Sequence, residues 1–214
     1  MRILFLLILL LAAGVSAAQT KFEAFTDGRK VGTASFVQKL GADGTKSVDV
    51  RMDLAIGDQK LTLRTQNVYD AKGNPTRKFM DVNIPGGKLQ KQVIATFDKN
   101  GANIVQIDGG KRTTRQIALV ETAPRGNASE FWLVRDKPKA GDSVRTYIFN
   151  MDAMAWQLQT IHFRGEKTIK VAGRTVVAYL IETDGERPSK AYLDEKGVPW
   201  LIETDSTTLK RIGN

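Results

Sequence analysis

The sequence predicts an all-β protein, an antiparallel sheet curled into a half-barrel or a two-layer β-superroll. Two observations carry that prediction. The dominant hydrophobic period is two, and turn residues recur along nearly the whole chain at short intervals. Many short strands with regular turns between them signal an antiparallel sheet, sandwich or open barrel.

The first eighteen residues stand apart. Arg2 supplies a positive charge, Ile3 to Ala13 is an unbroken apolar run, and Val15-Ser16-Ala17-Ala18 offers small residues for cleavage. That is the three-part layout of a secretory signal peptide. Eleven residues fall short of the roughly twenty that a spanning helix needs. Cleavage is expected after Ala18, with Ala17 as the alternative, which leaves residues 19–214 as a single periplasmic or secreted β domain. The mature part contains no segment expected to span a membrane.

Along that domain, Asp27-Gly28 turns the chain into a strand, and Asp43-Gly44 marks the next turn. Val48, Val50, Met52, Leu54 and Ile56 point one way while Asp49, Arg51 and Asp53 point the other. Strict alternation of this kind reads as a half-buried strand. Gly57-Asp58 is a tight hairpin turn, after which Leu61 and Leu63 continue the pattern. Gly73-Asn74-Pro75, Pro85-Gly86-Gly87 and Asn100-Gly101 punctuate the next stretch of chain. Ile104 to Ile107 is a strand that ends in Asp108-Gly109-Gly110, residues that tolerate positive φ. Lys111-Arg112-Thr113-Thr114-Arg115 alternates like the wet face of a strand.

Glu121 to Asp142 breaks the rhythm. Pro124, Gly126, Pro138 and Gly141 surround Ser129-Glu130-Phe131-Trp132-Leu133-Val134. Asn127 or Ser129 could cap a short helix here. The alternative is a long crossover or lid between two halves of the sheet, since long connections in compact domains are often functional. Beyond it, Gly165 reads as a turn. Ile169 and Val171 alternate with Thr168 and Lys170, Ala172-Gly173 is a turn, and Val176 to Ile181 is a β-branched strand. Asp184-Gly185 and Gly197-Val198-Pro199 are the last turns. Tyr69 to Pro75 echoes Tyr192 to Pro199, each a strand and then a turn built from Asp, Gly and Pro. Two similar meander halves joined by residues 121–142 would explain the echo. Convergent turn chemistry would explain it equally.

Composition removes several functions. The chain has no cysteine and one histidine, His162. Thiol nucleophiles, Cys-ligated zinc, iron–sulfur clusters and the lipidated cysteine of a lipoprotein are all excluded. So is a zinc site built on several histidines. No cofactor is expected. The net charge is +9, or +8 once Arg2 is set aside with the leader. Basic charge often signals nucleic acid, but export and the dispersed placement of Lys and Arg argue against it. Envelope anions are the natural alternative.

The order of features, from Gly28-Arg29-Lys30-Val31-Gly32 through Tyr69-Asp70 and Pro138-Lys139-Ala140-Gly141-Asp142 to Tyr192-Leu193-Asp194, resembles that of exported bacterial domains of unknown function. These are curled antiparallel sheets, found alone or before transglutaminase-like domains. More distantly it is similar to the lipoprotein-localisation carriers, whose half-barrel holds acyl chains. The resemblance implies a curled sheet around an apolar interior. It carries no catalytic residue over, and a transglutaminase-like site would need a cysteine.

Phe131, Trp132, Met154 and Trp156 are the candidate ligand-binding residues, because Trp and Met form adaptable apolar surfaces. The competing reading is ordinary core, which is also expected of Trp200. His162 with Ser129 and Asp152 supplies the residue types of a hydrolase triad, but no Gly-x-Ser-x-Gly elbow surrounds a serine. Asp98-Lys99-Asn100-Gly101 begins like a calcium loop and lacks its later ligands. Glu182, Asp184 and the Asp194-Glu195 pair read as turn acids rather than a glycosidase pair. The expectation is a non-enzymatic exported protein that binds an apolar or amphiphilic envelope ligand such as a lipid. The alternative is an adaptor that binds an envelope protein or an anionic polymer through a basic sheet face.

Overall fold

The computed structural model describes residues 19–86, 89–119 and 129–213. They form one antiparallel sheet of fourteen strands. The first run is β1 (Gln19–Thr26), β2 (Arg29–Leu40), β3 (Lys46–Ile56), β4 (Gln59–Tyr69), β5 (Pro75–Ile84), β6 (Leu89–Asp98), β7 (Gly101–Asp108) and β8 (Lys111–Ala118). A short helix, α1 (Ser129–Asp136), comes next. The second run is β9 (Ser143–Asn150), β10 (Ala155–Val171), β11 (Arg174–Asp184), β12 (Ser189–Leu193), β13 (Pro199–Thr204) and β14 (Thr207–Ile212). Both runs are meanders, and β14 pairs with β1 to fuse them.

The sheet is open. β8 and β9 are its two edges, and among the described residues no ladder joins them. Side chains hold the curl instead. Cross-strand partners share a face, so the register can be followed from strand to strand. Met52 pairs with Ala34, Ala34 with Phe22, and Ala24 with Leu209. Leu209 pairs with Ile202, Ile202 with Ala191, Ala191 with Ile181, and Ile181 with Phe163. All of these lie on one face, the inner one. Phe149 pairs with Trp156, and alternation along β10 places both on the face opposite Ile161 and Phe163. Yet Phe149 and Trp156 pack with Met80, Val93, Ala95 and Ile104, which belong to the inner face of β5 to β7. The sheet is therefore rolled past itself, with its β9 edge tucked inside the curl of β5 to β7. Lys78 reinforces the overlap by donating from Nζ to the Phe149 carbonyl at 3.4 Å.

Three apolar clusters result. One lies on β1 to β4 and β14 around Phe22, Phe36 and Val48. The second is the overlap just described, where Phe97, Phe149 and Trp156 meet at ring-centroid distances of 5.3 to 5.7 Å. In the third, Trp132 and Leu133 of α1 pack on Ile161, Phe163, Ile181 and Leu193. The helix thus covers the inner face of β10 to β12.

The curled sheet and the short helix agree with the expectation from sequence. The echoed turns are the same structure. In each, the Asp carbonyl accepts from the Gly N–H three residues on (2.9 Å at Gly73, 3.0 Å at Gly197). In each, Asp Oδ1 also accepts from the backbone N–H four residues on (2.8 Å at Asn74, 2.9 Å at Val198). A register shift precedes both. Two expectations need correction. Gly165 is not a turn: β10 runs straight through it, and the register shift between Phe163 and Glu166 marks a bulge. The basic run on β8 does not have one wet face. Lys111 to Gln116 are all exposed, because β8 is an edge with little covering either side. Residues 120–128 of the expected crossover lie outside the described residues.

Candidate functional site

Antiparallel connectivity sends alternate turns to opposite ends of the sheet. One end collects the turns at 41–45, 70–74, 172–173 and 194–198 together with α1. Two adjoining cavities open there, on the inner face.

The larger, about 600 Å³, is lined by Phe36, Val177, Tyr179, Val198 and Trp200, with Thr20, Gln38 and Arg211 among them. These residues come from β1, β2, β11, β13, β14 and the turn before β13. Register explains their convergence. Trp200 lies two residues from Ile202, Arg211 two from Leu209, Tyr179 two from Ile181 and Phe36 two from Ala34, so each repeats the inner face of its strand. Arg211 lines it together with Asp194, Glu195 and Lys196 and is 12% exposed. Its Nη1 donates to Asp194 Oδ2 at 2.9 Å, and its guanidinium stacks 4.2 Å from the Trp200 ring centroid. Asp194 is fixed in turn by the N–H groups of Lys196 and Val198, each at 2.9 Å. One carboxylate thereby shapes the turn and holds the Arg211–Trp200 stack in the cavity wall. A paired cation over an aromatic face needs less water than a bare one, so this wall can meet an amphiphile's polar end without a free buried charge.

The smaller cavity, about 480 Å³, lies beneath α1 between Leu133, Val134, Pro138, Phe163 and Tyr179, and shares Tyr179 and Glu195 with the first. Gly165 forms part of its wall. At φ +81° the backbone favours glycine, and a Cβ there would lie 3.1 Å from Ala140 Cβ. The segment after α1 is fastened down. Gly141 donates to the Phe163 carbonyl at 2.8 Å, and Phe163 donates to the Asp142 carbonyl at 2.9 Å.

Of the residues singled out from sequence, Trp132 is not brought together with Met154 and Trp156. Trp132 is buried with Leu133 against β10 to β12. Met154 and Trp156 belong to the overlap cluster. The Phe131 side chain lies outside the described residues. None of the other three lines the two cavities. Trp200, expected as core, is half-buried and lines the larger one.

Among the described residues the catalytic alternatives find no assembled site, and the Ser129 side chain lies outside them. His162 Nε2 lies 3.0 Å from Asp184 Oδ2, while Asp152 pairs with Arg187 at 3.3 Å. Glu182 accepts from Arg164 at 2.7 Å, and that hydrogen bond, with help from Lys190, holds its carboxyl below the usual value. Asp98 Oδ1 accepts from the N–H groups of Asn100 and Gly101, an ordinary Asx turn. Among the described residues, no group of three His, Asp or Glu side chains is placed to hold a metal ion. No helix there is long and apolar enough to cross a membrane.

No family model matches the chain, and no curated protein does. A solved structure does share its fold: the crystal structure of a beta-barrel-like protein of Domain of Unknown Function DUF1849 from Brucella abortus. The two superpose with a TM-score of 0.61 over 91% of this chain and 94% of the other, at 10% sequence identity. At that identity the likeness speaks for the fold alone. The chain is accordingly similar to an all-β, barrel-like domain of unknown function.

Proposed function

We propose that the protein is exported through residues 1–18 and binds the apolar chain of an envelope lipid or similar amphiphile, without catalysis. The observation that carries this is the pair of adjoining cavities on the inner face, walled by Phe36, Tyr179, Trp200 and Leu133. Their volumes fall within the ~300–1,000 Å³ typical of ligand sites. Burying an acyl chain contributes ~0.8 kcal/mol per CH₂, so partial insertion suffices for micromolar affinity. Trp132 is buried in the same cluster as the cavity residue Leu133.

The test is a fluorescence titration of solvent-extracted protein with cis-parinaric acid. Tyr179→Ala and Trp200→Ala should each weaken binding by roughly ten-fold, the equivalent of about 1.4 kcal/mol, while Met154→Ala leaves it unchanged. Undiminished binding in both cavity variants would refute the assignment.

A second reading has one observation in its favour. The free β8 edge presents Lys111, Arg112 and Arg115, all exposed, as an adaptor for anionic polymers would. The same charges also protect an edge strand from pairing with other chains, which explains them without a partner.

A further inference from the structure

Three large apolar side chains stand out in solvent: Leu40 at 55%, Val134 at 42% and Val177 at 59% exposed. Scattered exposed apolar residues are normal in any protein. These three are not scattered. Leu40 ends β2 at the 41–45 turn, two residues beyond Gln38 on the inner face. Val177 lies near the start of β11, two residues before Tyr179 on the same face. Val134 is on α1, over the smaller cavity. All three therefore sit on the rim where the cavities open, and Val177 and Val134 line them directly.

The charge around this rim has a sign. Lys39, Lys137, Lys139 and Lys196 are exposed there. The nearby acids Asp43, Asp136 and Asp142 are exposed as well, each engaged locally, and Lys72, Lys170 and Arg174 at the 70–74 and 172–173 turns of this end keep the balance positive. Asp43 Oδ1 accepts from the Thr45 N–H and hydroxyl, Asp142 Oδ2 accepts from the Lys139 N–H, and Asp136 pairs with Arg135. Glu195 and Glu166 are two further exposed acids here. An apolar tip ringed by lysines matches a surface that is anionic outside and apolar just beneath.

We propose that this rim docks on an anionic phospholipid surface, with Leu40, Val134 and Val177 entering the headgroup region and the lysines meeting the phosphates. Docking in this pose faces the cavities toward the lipid. It does not require them to be occupied, so it stands or falls separately from the ligand assignment.

The test is flotation with phosphatidylcholine vesicles, with and without phosphatidylglycerol. The wild-type protein should float only with the anionic vesicles. The triple variant Leu40→Ser, Val134→Ser, Val177→Ser should bind roughly ten-fold more weakly or worse. Because all three positions are exposed, its melting temperature should be unchanged. Lys139→Gln and Lys196→Gln should each cost up to about five-fold. Lys111→Gln with Arg112→Gln, at the opposite end of the sheet, should cost nothing. Failure of the wild type to float, full binding by the triple variant, or an equal loss in the Lys111–Arg112 control would overturn the proposal. Cavity binding of parinaric acid is measured without vesicles, so the two failures are distinguishable.

Discussion

Replacing Phe149 with alanine tests how the open sheet is held closed. Phe149 is 2% exposed, on an edge strand with no hydrogen-bonded neighbour on its far side among the described residues. Its ring meets Phe97 at 5.7 Å and Trp156 at 5.3 Å, in the overlap between the β9 edge and the inner face of β5 to β7. Removing a buried phenylalanine costs about 3–5 kcal/mol through lost burial and the residual cavity. Loss of the two ring contacts favours the upper part of that range. With each kcal/mol worth ~2–4 °C in a domain of this size, a loss of about 4 kcal/mol gives a fall of roughly 8–16 °C. Thermal unfolding monitored by circular dichroism reads it directly. Phe25 is the comparison, a half-buried ring beneath Lys210 Nζ at 4.7 Å, and Phe25→Ala should cost less than about 2 kcal/mol. A double-mutant cycle between Phe97 and Phe149 should show coupling, since the rings touch. A loss below about 1 kcal/mol for Phe149→Ala, or one no larger than that for Phe25→Ala, would refute the rolled overlap.

The same geometry predicts two further outcomes. Trp156 Nε1 is buried without a hydrogen-bond acceptor, and an unmet buried donor costs about 1–3 kcal/mol. Trp156→Phe discards that donor and keeps a ring, so it should cost at most about 1 kcal/mol by urea denaturation, against about 3–5 for Trp156→Ala. Neither should change parinaric acid binding. Acid should also destabilise the fold. The carboxyls of Asp53, Asp136 and Glu182 are lowered, chiefly by hydrogen bonds from Arg51, Arg135 and Arg164. A group depressed in the folded state contributes fully above its ordinary value, about 4, and that contribution is lost as pH falls through the lowered value. Melting temperature should therefore fall below about pH 4, with a shallower fall in the Asp53→Asn, Glu182→Gln variant. An unchanged slope in that variant would contradict the assignment.

Much of the fold was legible because one face of most strands is buried and the other wet. Val48 to Ile56 alternates for that reason, and the same alternation fixes the register. The Asp70 and Asp194 turns were legible because a short carboxylate can tie down its own turn. Gly165 misled because glycine serves turns and bulges alike, and only the ladder to β11 distinguishes them. The grouping of Trp132 with Trp156 had a different cause. Trp132 packs on the inner face of β10, whereas Trp156 lies on the opposite face, and nearness in sequence does not report which face a residue meets. The cavity residues were hidden because Phe36, Tyr179, Trp200 and Arg211 lie on four strands separated along the chain. What gathers them is curvature, which arises from twist and side-chain overlap rather than from any local motif. The one local signal was Asp194 in the echoed turn, within reach of an inner-facing arginine.

Whether the inner face holds an apolar chain is tested most directly by native mass spectrometry of protein expressed with its N-terminal segment and purified without detergent. The expected result is a co-purifying lipid mass that disappears on solvent extraction, returns on addition of lysophosphatidylcholine, and is reduced in Tyr179→Ala and Trp200→Ala. A protein mass without adduct that takes up no lysophosphatidylcholine would contradict it.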